Sequence, residues 1–164
     1  GPVLDSVPEE YIEGFNRHLI NNHNLAKALI PGMKAESYGR IINIISTSVK
    51  QPIPDLGVSN TIRGAVANWA KTLAVEVGRF GITVNNILPG FTDTARLRSL
   101  IKNIAQKKGQ TIAEVTKAMK DSVPAGRFAD ADETASAVVF LAAPQAAYIN
   151  GINLPVDGGR TQSL

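Results

Sequence analysis

The chain has 164 residues, 44% hydrophobic and 19% charged, with 17 basic and 14 acidic side chains that give a formal net charge of +3. This composition is typical of one globular domain, and the lack of clustered Lys and Arg with interleaved aromatics argues against a nucleic-acid partner. No cysteine and only two histidines are present, which excludes disulfides and a zinc site, and no apolar run reaches the roughly 20 residues that span a bilayer. We therefore expect a cytoplasmic enzyme or binding domain with no metal and no membrane contact.

The first quarter of the chain predicts a long helix. Asp5 or Ser6 can cap it, Pro8 suits its first turn, and the pattern continues to residue 35, with a possible bend at residues 31–32. The polar insert NNHN at residues 21–24 is most typical of a solvated stripe. Its position in the middle of a packed helix keeps a functional role open.

A buried strand, a second helix and another buried strand follow. GRIINIIS, residues 39–46, is a short run led by β-branched side chains, as in a fully buried parallel strand. A proline-rich loop precedes a helix over residues 58–80, whose apolar positions recur at three- and four-residue spacing: Ile62, Val66, Trp69, Leu73 and Val77. GITVNNIL, residues 81–88, predicts the second strand, which ends at Pro89 and Gly90.

Asparagines stand inside these strands, at positions 43, 85 and 86. Because buried amides must be hydrogen-bonded, we expect Asn43, Asn85 and Asn86 to satisfy the backbone of nearby loops.

The last third predicts helices over residues 94–107, 111–121 and 131–142, the last opened by Asp130 or Asp132, and then a strand over residues 152–156. Pro155 favours an edge position for that strand, since proline has no N–H to donate. The basic stretch at residues 102–110 is typical of a solvated helix end with Gly109 at its terminus.

Helices that alternate with buried strands predict the α/β class, with a doubly wound parallel sheet. Three strands are too few to cover the faces of four or five helices. We therefore expect residues 1–164 to form a single domain that is the C-terminal part of a doubly wound fold, with its first strands missing.

Several motifs in a fixed order carry a specific resemblance. GRIINIIS ends at Ser46, position 59 follows thirteen residues later, and the segment of residues 63–94 closes with LPGFTDT. YINGINLPVDGG occupies residues 148–159. Over nearly the whole chain this arrangement resembles the short-chain dehydrogenase/reductase family. The resemblance implies a Rossmann-like fold, NAD or NADP as cofactor, a carbonyl or alcohol substrate as in 3-oxoacyl reductases, and a homodimer or homotetramer.

Two residues depart from the motif of that family, which has Tyr-x-x-x-Lys where this chain has Ser59 and Arg63. By resemblance, Ser46 orients the substrate carbonyl, position 59 transfers the proton, and position 63 binds the nicotinamide ribose. A serine hydroxyl is far less acidic than a phenol, and Arg63 stays protonated, so the usual chemistry does not transfer unchanged. Ser59 can be a proton donor or a simple hydrogen-bonding or capping residue.

Other residues can supplement the altered pair. His18 falls where the family has a helix asparagine in its proton relay, and it either titrates there or is satisfied by a backbone carbonyl. Lys50 follows Ser46 by four residues and is either at the edge of the substrate pocket or on the ordinary surface. By resemblance, Pro89, Gly90, Thr92 and Thr94 form the turn that binds the nicotinamide carboxamide.

The glycine-rich Gly-x-x-x-Gly-x-Gly loop of that family does not occur in the 164 residues, which favours a fragment or processed chain. Two functions remain open at this point. The first is an NAD(P)-dependent oxidoreductase, and the second is a catalytically impaired relative that acts as a binding or assembly protein.

Overall fold

The computed structural model describes residues 1–163 as a parallel sheet with helices packed on it. The strands are β1 (Gly39–Ile44), β2 (Ile82–Pro89) and β3 (Asn153–Val156), in the order β1-β2-β3. Both strand pairs are parallel. The predicted α/β class, the parallel sheet and the positions of the three strands are confirmed, while the single-domain interpretation stays a prediction.

The N-terminal helix is continuous but contains a wider turn. It consists of α1 (Pro8–Phe15), a π-helical turn (Asn16–Ile20) and α2 (Asn21–Ala35), which continues through Pro31. The predicted cap at Asp5 or Ser6 is wrong, because the helix begins after Val7, whose N–H donates to the Glu10 carboxylate at 3.1 Å. A π turn holds one more residue than an α turn and is frequent at functional sites.

Helix α3 (Gly57–Val77) supplies much of the core. Ile62, Val66 and Val77 are buried, as the periodicity predicts, and Trp69 and Leu73 are half-buried. The helix ends in a 3₁₀ turn (Gly78–Phe80), and Gly81 then adopts a left-handed φ of 74°. A Cβ at Gly81 would collide with the carbonyl oxygen of Ser37, so this turn from α3 into β2 requires glycine.

Helices α4 (Ala95–Lys108) and α5 (Ile112–Asp121) form a second, smaller core beside the sheet. It is built from buried Leu97, Ile101, Ala105 and Val115, with Phe91 and Phe128 packed against it. Gly109 ends α4 with a left-handed φ of 63°, which confirms the helix end that the basic stretch predicts.

Helix α6 (Ala131–Ala142) contacts all three strands. Asp130 is its N-cap, and the N–H of Asp130 donates to Glu133 at 2.8 Å, which decides between the two predicted caps. β3 pairs only with β2 in the described chain, so it is an edge strand, and Pro155 stands opposite Leu88 there. The predicted edge position is confirmed.

Candidate functional site

Ser46 lies just beyond the carboxyl end of β1. The strand ends at Ile44 rather than at Ser46, although Ile45 still donates its N–H to Ile87 at 2.9 Å. Ile44 pairs with Ile87, so Ser46 and Pro89 each follow this last pair by two residues. The Ser46 Oγ accepts the N–H of Ser48 at 3.1 Å and opens a 3₁₀ turn (Thr47–Val49). Its own hydrogen is free to donate to a ligand at the edge where parallel sheets bind them.

Ser59 lies in the first turn of α3 with an unpartnered side chain. The N-cap of α3 is Leu56, and no side chain caps this helix, so the capping alternative for Ser59 is wrong. The Ser59 hydroxyl is half-buried and makes no hydrogen bond to residues 1–163. Helix α3 packs against both the turn after Ser46 and the π turn of the N-terminal helix, so Ser59 belongs to the same edge of the molecule.

His18 and Arg63 meet across these two helices. The Arg63 Nη1 lies 3.4 Å from the His18 Nδ1. A guanidinium only donates, so Nδ1 must accept and Nε2 must carry the proton of a neutral imidazole. Burial lowers the pKa of His18, and the charges of Arg63 and Arg17 lower it further. The predicted backbone-carbonyl partner is wrong, because the partner of His18 is a guanidinium.

Arg63 is a half-buried cation without a carboxylate partner. The ion pairs of the described chain involve other residues, namely Arg17–Glu13, Arg98–Asp93, Lys117–Asp121 and Arg127–Glu133. Burial lowers the pKa of Arg63, and the charge of Arg96 lowers it further. Ser59 and Arg63, four residues apart on one helix face, therefore present a hydroxyl without a described partner and a guanidinium whose recorded contact is the neutral His18.

The turn after β2 is held from two sides. The Gly90 N–H donates to Val156 of β3 at 2.9 Å, and a Cβ at Gly90 would lie 2.7 Å from the Cα of Asp157. On the other side the N–H of Asp93 donates to Ala129 at 2.8 Å. The predicted cofactor turn of Pro89 and Gly90 is thus fixed to β3 and to the segment before α6.

The two threonines of this turn differ in what they can still bind. The Thr92 hydroxyl donates to the carbonyl of Gly90 at 3.3 Å. The Thr94 Oγ accepts the N–H of Leu97 at 3.3 Å as the N-cap of α4. The hydrogen of the Thr94 hydroxyl therefore remains available as a donor.

The candidate residues form an open face rather than an enclosed cavity. A groove of about 410 Å³ lies between α4 and α5, over Leu97 and Ile101. A hollow of about 250 Å³ lies between α2 and β1, beside Trp69. Neither is lined by Ser46, Ser59 or Arg63.

Comparison with known proteins identifies the family of this chain. The family model described as Enoyl-(Acyl carrier protein) reductase matches residues 1–161. The chain belongs to the short-chain dehydrogenase/reductase family. It is 32% identical over 163 residues to the 2,3-dihydroxy-2,3-dihydro-p-cumate dehydrogenase of Pseudomonas putida strain F1 and 38% identical over 153 residues to the 3-oxoacyl-[acyl-carrier-protein] reductase FabG of Vibrio harveyi.

A solved structure is also similar to this chain. The L-sorbose reductase of Gluconobacter frateurii, complexed with NADPH and L-sorbose, superposes with a TM-score of 0.92 at 30% identity. The matches cover 98%, 92% and 100% of this chain, but 59%, 57% and 63% of the dehydrogenase, FabG and the sorbose reductase. The chain thus spans less than two thirds of the length of these relatives. The predicted family and Rossmann-like fold are confirmed.

The face fits one end of the nicotinamide cofactor that this family implies. A carboxamide and a ribose present acceptor oxygens, and the free hydrogen of Thr94 and the guanidinium of Arg63 are donors of the required kind. The pyrophosphate end needs backbone N–H groups of a glycine-rich loop, and no such loop occurs in this sequence. The residues present therefore fit the nicotinamide end alone.

The structure does not pair Lys50 with His18 or Arg63. It ends the 3₁₀ turn after Ser46, where its N–H donates to Thr47 at 3.0 Å and its carbonyl accepts from Ser163 at 3.4 Å. Its ammonium makes no hydrogen bond or ion pair within residues 1–163. The contact with substrate stays a prediction.

Sequence reasoning missed a chain of amides that crosses the sheet below the site. Asn22 donates to Asn43 at 3.4 Å, Asn43 to Asn86 at 2.9 Å, and Asn86 to Asn153 at 2.8 Å. Asn43 and Asn86 therefore pair with other amides, and the expectation that they satisfy loop backbone is wrong. The polar insert at residues 21–24 was the sequence feature that pointed to this series of amides, because its Asn22 makes the first hydrogen bond of the series.

Asn85 satisfies the backbone of a nearby loop, as predicted. It is fully buried, donates to the Ile149 carbonyl at 2.8 Å and accepts the Ile152 N–H at 3.1 Å. Asn150 adds a similar link, accepting from Val84 at 2.8 Å and donating to Ala74 at 3.0 Å. The loop before β3 is thereby held against β2 and α3.

Two further searches of the described residues gave negative results. No group of three or more His, Cys, Asp or Glu side chains in residues 1–163 is placed to hold a metal ion. Within the same residues, no helix combines the length and apolar character needed to cross a membrane.

Proposed function

We propose that the protein is an NAD(P)-dependent oxidoreductase that acts on a small carbonyl or alcohol substrate, with 3-oxoacyl compounds as the first class to test. The observation that carries this proposal is a set of donors without a described acceptor, namely the hydroxyl hydrogens of Ser46, Ser59 and Thr94. Arg63, on the same face of α3 as Ser59, contacts only the neutral His18. The names of FabG and of the NADPH-complexed sorbose reductase support the cofactor and the substrate class.

The nicotinamide end of the cofactor would be held by Arg63, Thr94 and the turn at Pro89, Gly90 and Thr92. When bound, the cofactor supplies or accepts the hydride. The Arg63 guanidinium donates in a fixed plane, and its contact with His18 limits how it can rotate. His18 is thus a positioning residue in this proposal, and Arg63 is the group that touches the ligand.

The substrate oxygen would be held by hydroxyl groups. Ser46 already accepts the Ser48 N–H, so its hydrogen points to an acceptor other than its own turn. Ser59 offers a second hydroxyl, but its low acidity makes it a hydrogen-bond donor rather than the acid. In the reducing direction the substrate carbon receives the hydride and the oxygen receives a proton from a water molecule on the open side of the face.

Calorimetry and turnover on the full-length protein test this function. We expect saturable binding of NADH or NADPH, and cofactor oxidation with a 3-oxoacyl thioester or a simple ketone. Ser46→Ala should lower kcat by about a hundredfold, the range for loss of a donor to a developing oxyanion. Failure to bind either cofactor would reject the oxidoreductase. Activity that appears only after Ser59→Tyr combined with Arg63→Lys would favour the binding or assembly protein.

The proposal includes self-association and a cytoplasmic location. Leu25 and Leu29 of α2 and Val75 of α3 are exposed apolar side chains, and covering them in a homodimer or homotetramer would remove that surface from water. Light scattering that shows a monomer at working concentration would contradict the association. Cell fractionation with recovery outside the cytoplasm would contradict the location.

A further inference from the structure

The segment after β3 folds back over the loop that follows β1. The Gln162 N–H donates to the side-chain oxygen of Gln51 at 3.1 Å, and the Ser163 hydroxyl donates to the carbonyl of Lys50 at 3.4 Å. These bonds join residues 111 and 113 positions apart in the sequence. Residues 160–163, here called the return segment, therefore form a wall beside this loop.

Asp157 fixes where the return segment starts. Its two carboxylate oxygens accept the N–H groups of Gly159 at 3.0 Å and of Thr161 at 2.7 Å. The Asp157 charge is thus used by the backbone, and no ion pair joins it to Arg160 within residues 1–163. The return segment is held at one end by Asp157 and at the other by the loop after β1.

A hollow of about 70 Å³ lies between the return segment and this loop. Its polar lining consists of Thr47, Gln51, Arg160 and Thr161, and residues 52–54 supply the apolar side. Among the described residues, no Asp or Glu lines it. Because one water molecule occupies about 30 Å³, this volume suits a polar group of a few non-hydrogen atoms. The lining offers such a group no negative charge.

Two of the lining side chains have donors that the fold does not use. Thr47 is only 3% exposed, yet its hydroxyl makes no hydrogen bond within residues 1–163. The Gln51 side chain engages its oxygen with Gln162, and its amide nitrogen makes no hydrogen bond to the same residues. Buried polar groups are normally paired. A nearly buried hydroxyl without a partner beside a hollow therefore indicates an acceptor supplied by a ligand.

Arg160 adds a positive charge to the hollow. Its guanidinium lies over the ring of Phe91, with Cζ 4.2 Å from the ring centre, and the residue is half-buried. The guanidinium makes no hydrogen bond or ion pair within residues 1–163. Stacking on an aromatic face holds the plane of a guanidinium and leaves its N–H groups free at the edge. Arg160 is therefore a held cation with unused donors.

We propose that Thr47, Gln51 and Arg160 bind a carboxylate of the substrate, which is then an oxo acid or a hydroxy acid whose charged end lies in this hollow. This inference rests on the proposed oxidoreductase and names its substrate class. Thr47 directly follows Ser46 in the chain, so the hollow adjoins the serine that would hold the reacting oxygen. Guanidinium, amide and hydroxyl donors suit the two oxygens of a carboxylate. A phosphate group is larger, so inorganic phosphate serves as the competing probe.

The first arm of the test measures binding without turnover. The full-length protein, with NAD⁺ and NADP⁺ present, is treated with phenylglyoxal, which modifies guanidinium groups, and peptide mapping follows each arginine. Acetoacetate or 4-oxopentanoate at three times its Kd should slow the modification of Arg160 about fourfold, because only unoccupied protein reacts. The methyl esters should not slow it. Equal protection by acids and esters would overturn the site, and stronger protection by inorganic phosphate would overturn the choice of carboxylate.

The second arm measures selectivity, as the ratio of kcat/KM for an oxo acid to that for its methyl ester. Arg160→Gln should lower this ratio by about tenfold to a hundredfold, the range for a hydrogen bond to a charged group. Thr47→Val should lower it by about twofold to tenfold, and Thr47→Ser, which keeps the hydroxyl, should not.

Arg79 offers a matched control for Arg160. Its guanidinium also lies over an aromatic ring, with Cζ 4.8 Å from the centre of Phe80, but it does not line the hollow. Arg79→Gln removes the same charge and the same kind of stacking, and it should change the ratio by less than about twofold. The oxo acids should also leave the phenylglyoxal modification of Arg79 unchanged.

The two arms separate the failure of this inference from the failure of the proposed function. Turnover with equal selectivity in the wild type and Arg160→Gln would overturn the carboxylate site and leave the oxidoreductase intact. Protection of Arg160 by an oxo acid in protein that binds neither cofactor would retain the site and reject the oxidoreductase. An Arg79→Gln effect as large as that of Arg160→Gln would reduce the site to general charge attraction and overturn it.

Discussion

The asparagine side chains on the β2–β3 side of the sheet and the donors on the face of α3 differ in whether they have hydrogen-bond partners. Between β2 and β3, the side chains of Asn85, Asn86 and Asn150 each join two partners. On α3, Ser59 has no described partner and Arg63 has only a neutral imidazole. Buried polar groups are normally satisfied within the fold. We therefore propose that this half-buried face, which leaves donors unused, is arranged for a ligand.

The largest expected effect comes from a substitution among the hydrogen-bonded asparagines. Asn85→Ala removes two hydrogen bonds and leaves the Ile149 carbonyl and the Ile152 N–H unpaired in a fully buried place. We expect a loss of about 2–6 kcal/mol in the free energy of unfolding, from about 1–3 kcal/mol for each of the two unsatisfied groups. Urea denaturation of the full-length protein measures it, and Asn68→Ala on the exposed side of α3 is the control. Similar midpoints for both variants would show that the amide is not structural.

The amide chain across the sheet gives the next effect. Asn86→Ala leaves Asn43 and Asn153 each without one partner, so we expect a loss of about 1–3 kcal/mol. Asn43→Ala should be partly redundant with it. A double-mutant cycle should return a coupling of about 0.5–1.5 kcal/mol, and strict additivity would mean that the two amides act independently.

His18 links stability to pH. Its pKa is lowered in the folded state, first by burial and then by Arg63 and Arg17, so the unfolded chain binds the proton more readily. The neutral imidazole therefore contributes stability above the unfolded pKa of about 6.5, and that contribution is lost as the pH falls through the folded pKa. His18→Asn should remove this loss, so the wild type should weaken more than the variant on acidification. Equal pH dependence in paired denaturation curves would contradict the lowered pKa of His18 in the folded state.

The smallest expected effect belongs to the open face. Ser59→Ala removes a hydroxyl that no described residue binds, so the free energy of unfolding should change by less than about 0.5 kcal/mol. The same variant should still lower kcat, because the substrate oxygen loses one donor. Thermal unfolding and turnover measured on one preparation separate the two effects. A destabilisation as large as that of Asn86→Ala would show that Ser59 stabilises the fold.

The sequence predicted some parts of this molecule because local patterns determine them. The spacing of Ile62, Val66 and Val77 defines the buried face of α3, and Gly109 ends α4 because glycine readily adopts a left-handed conformation. In both cases the information lies within one element. The thirteen-residue spacing from Ser46 to Ser59 indicated these two residues by resemblance to the family, and their roles stay predictions.

Other parts could not be predicted, because they depend on registers between distant segments. The amide chain requires Asn43, Asn86 and Asn153 to stand side by side on three strands. The π turn around His18 leaves no mark in composition, and the contact with Arg63 joins residues 45 positions apart. The missing cap at Ser59 also needed the structure, since α3 begins three residues earlier than a serine cap would require.

Arg63→Gln tests the central contrast most directly when stability and ligand affinity are measured on the same full-length sample. The account predicts a free energy of unfolding within about 1 kcal/mol of the wild type, because no folded-state ion pair is broken. It also predicts an affinity for NADH or NADPH that falls by about tenfold, the cost of a charge-assisted hydrogen bond. A stability loss of several kcal/mol with unchanged cofactor affinity would show that Arg63 serves the fold, and would contradict the account.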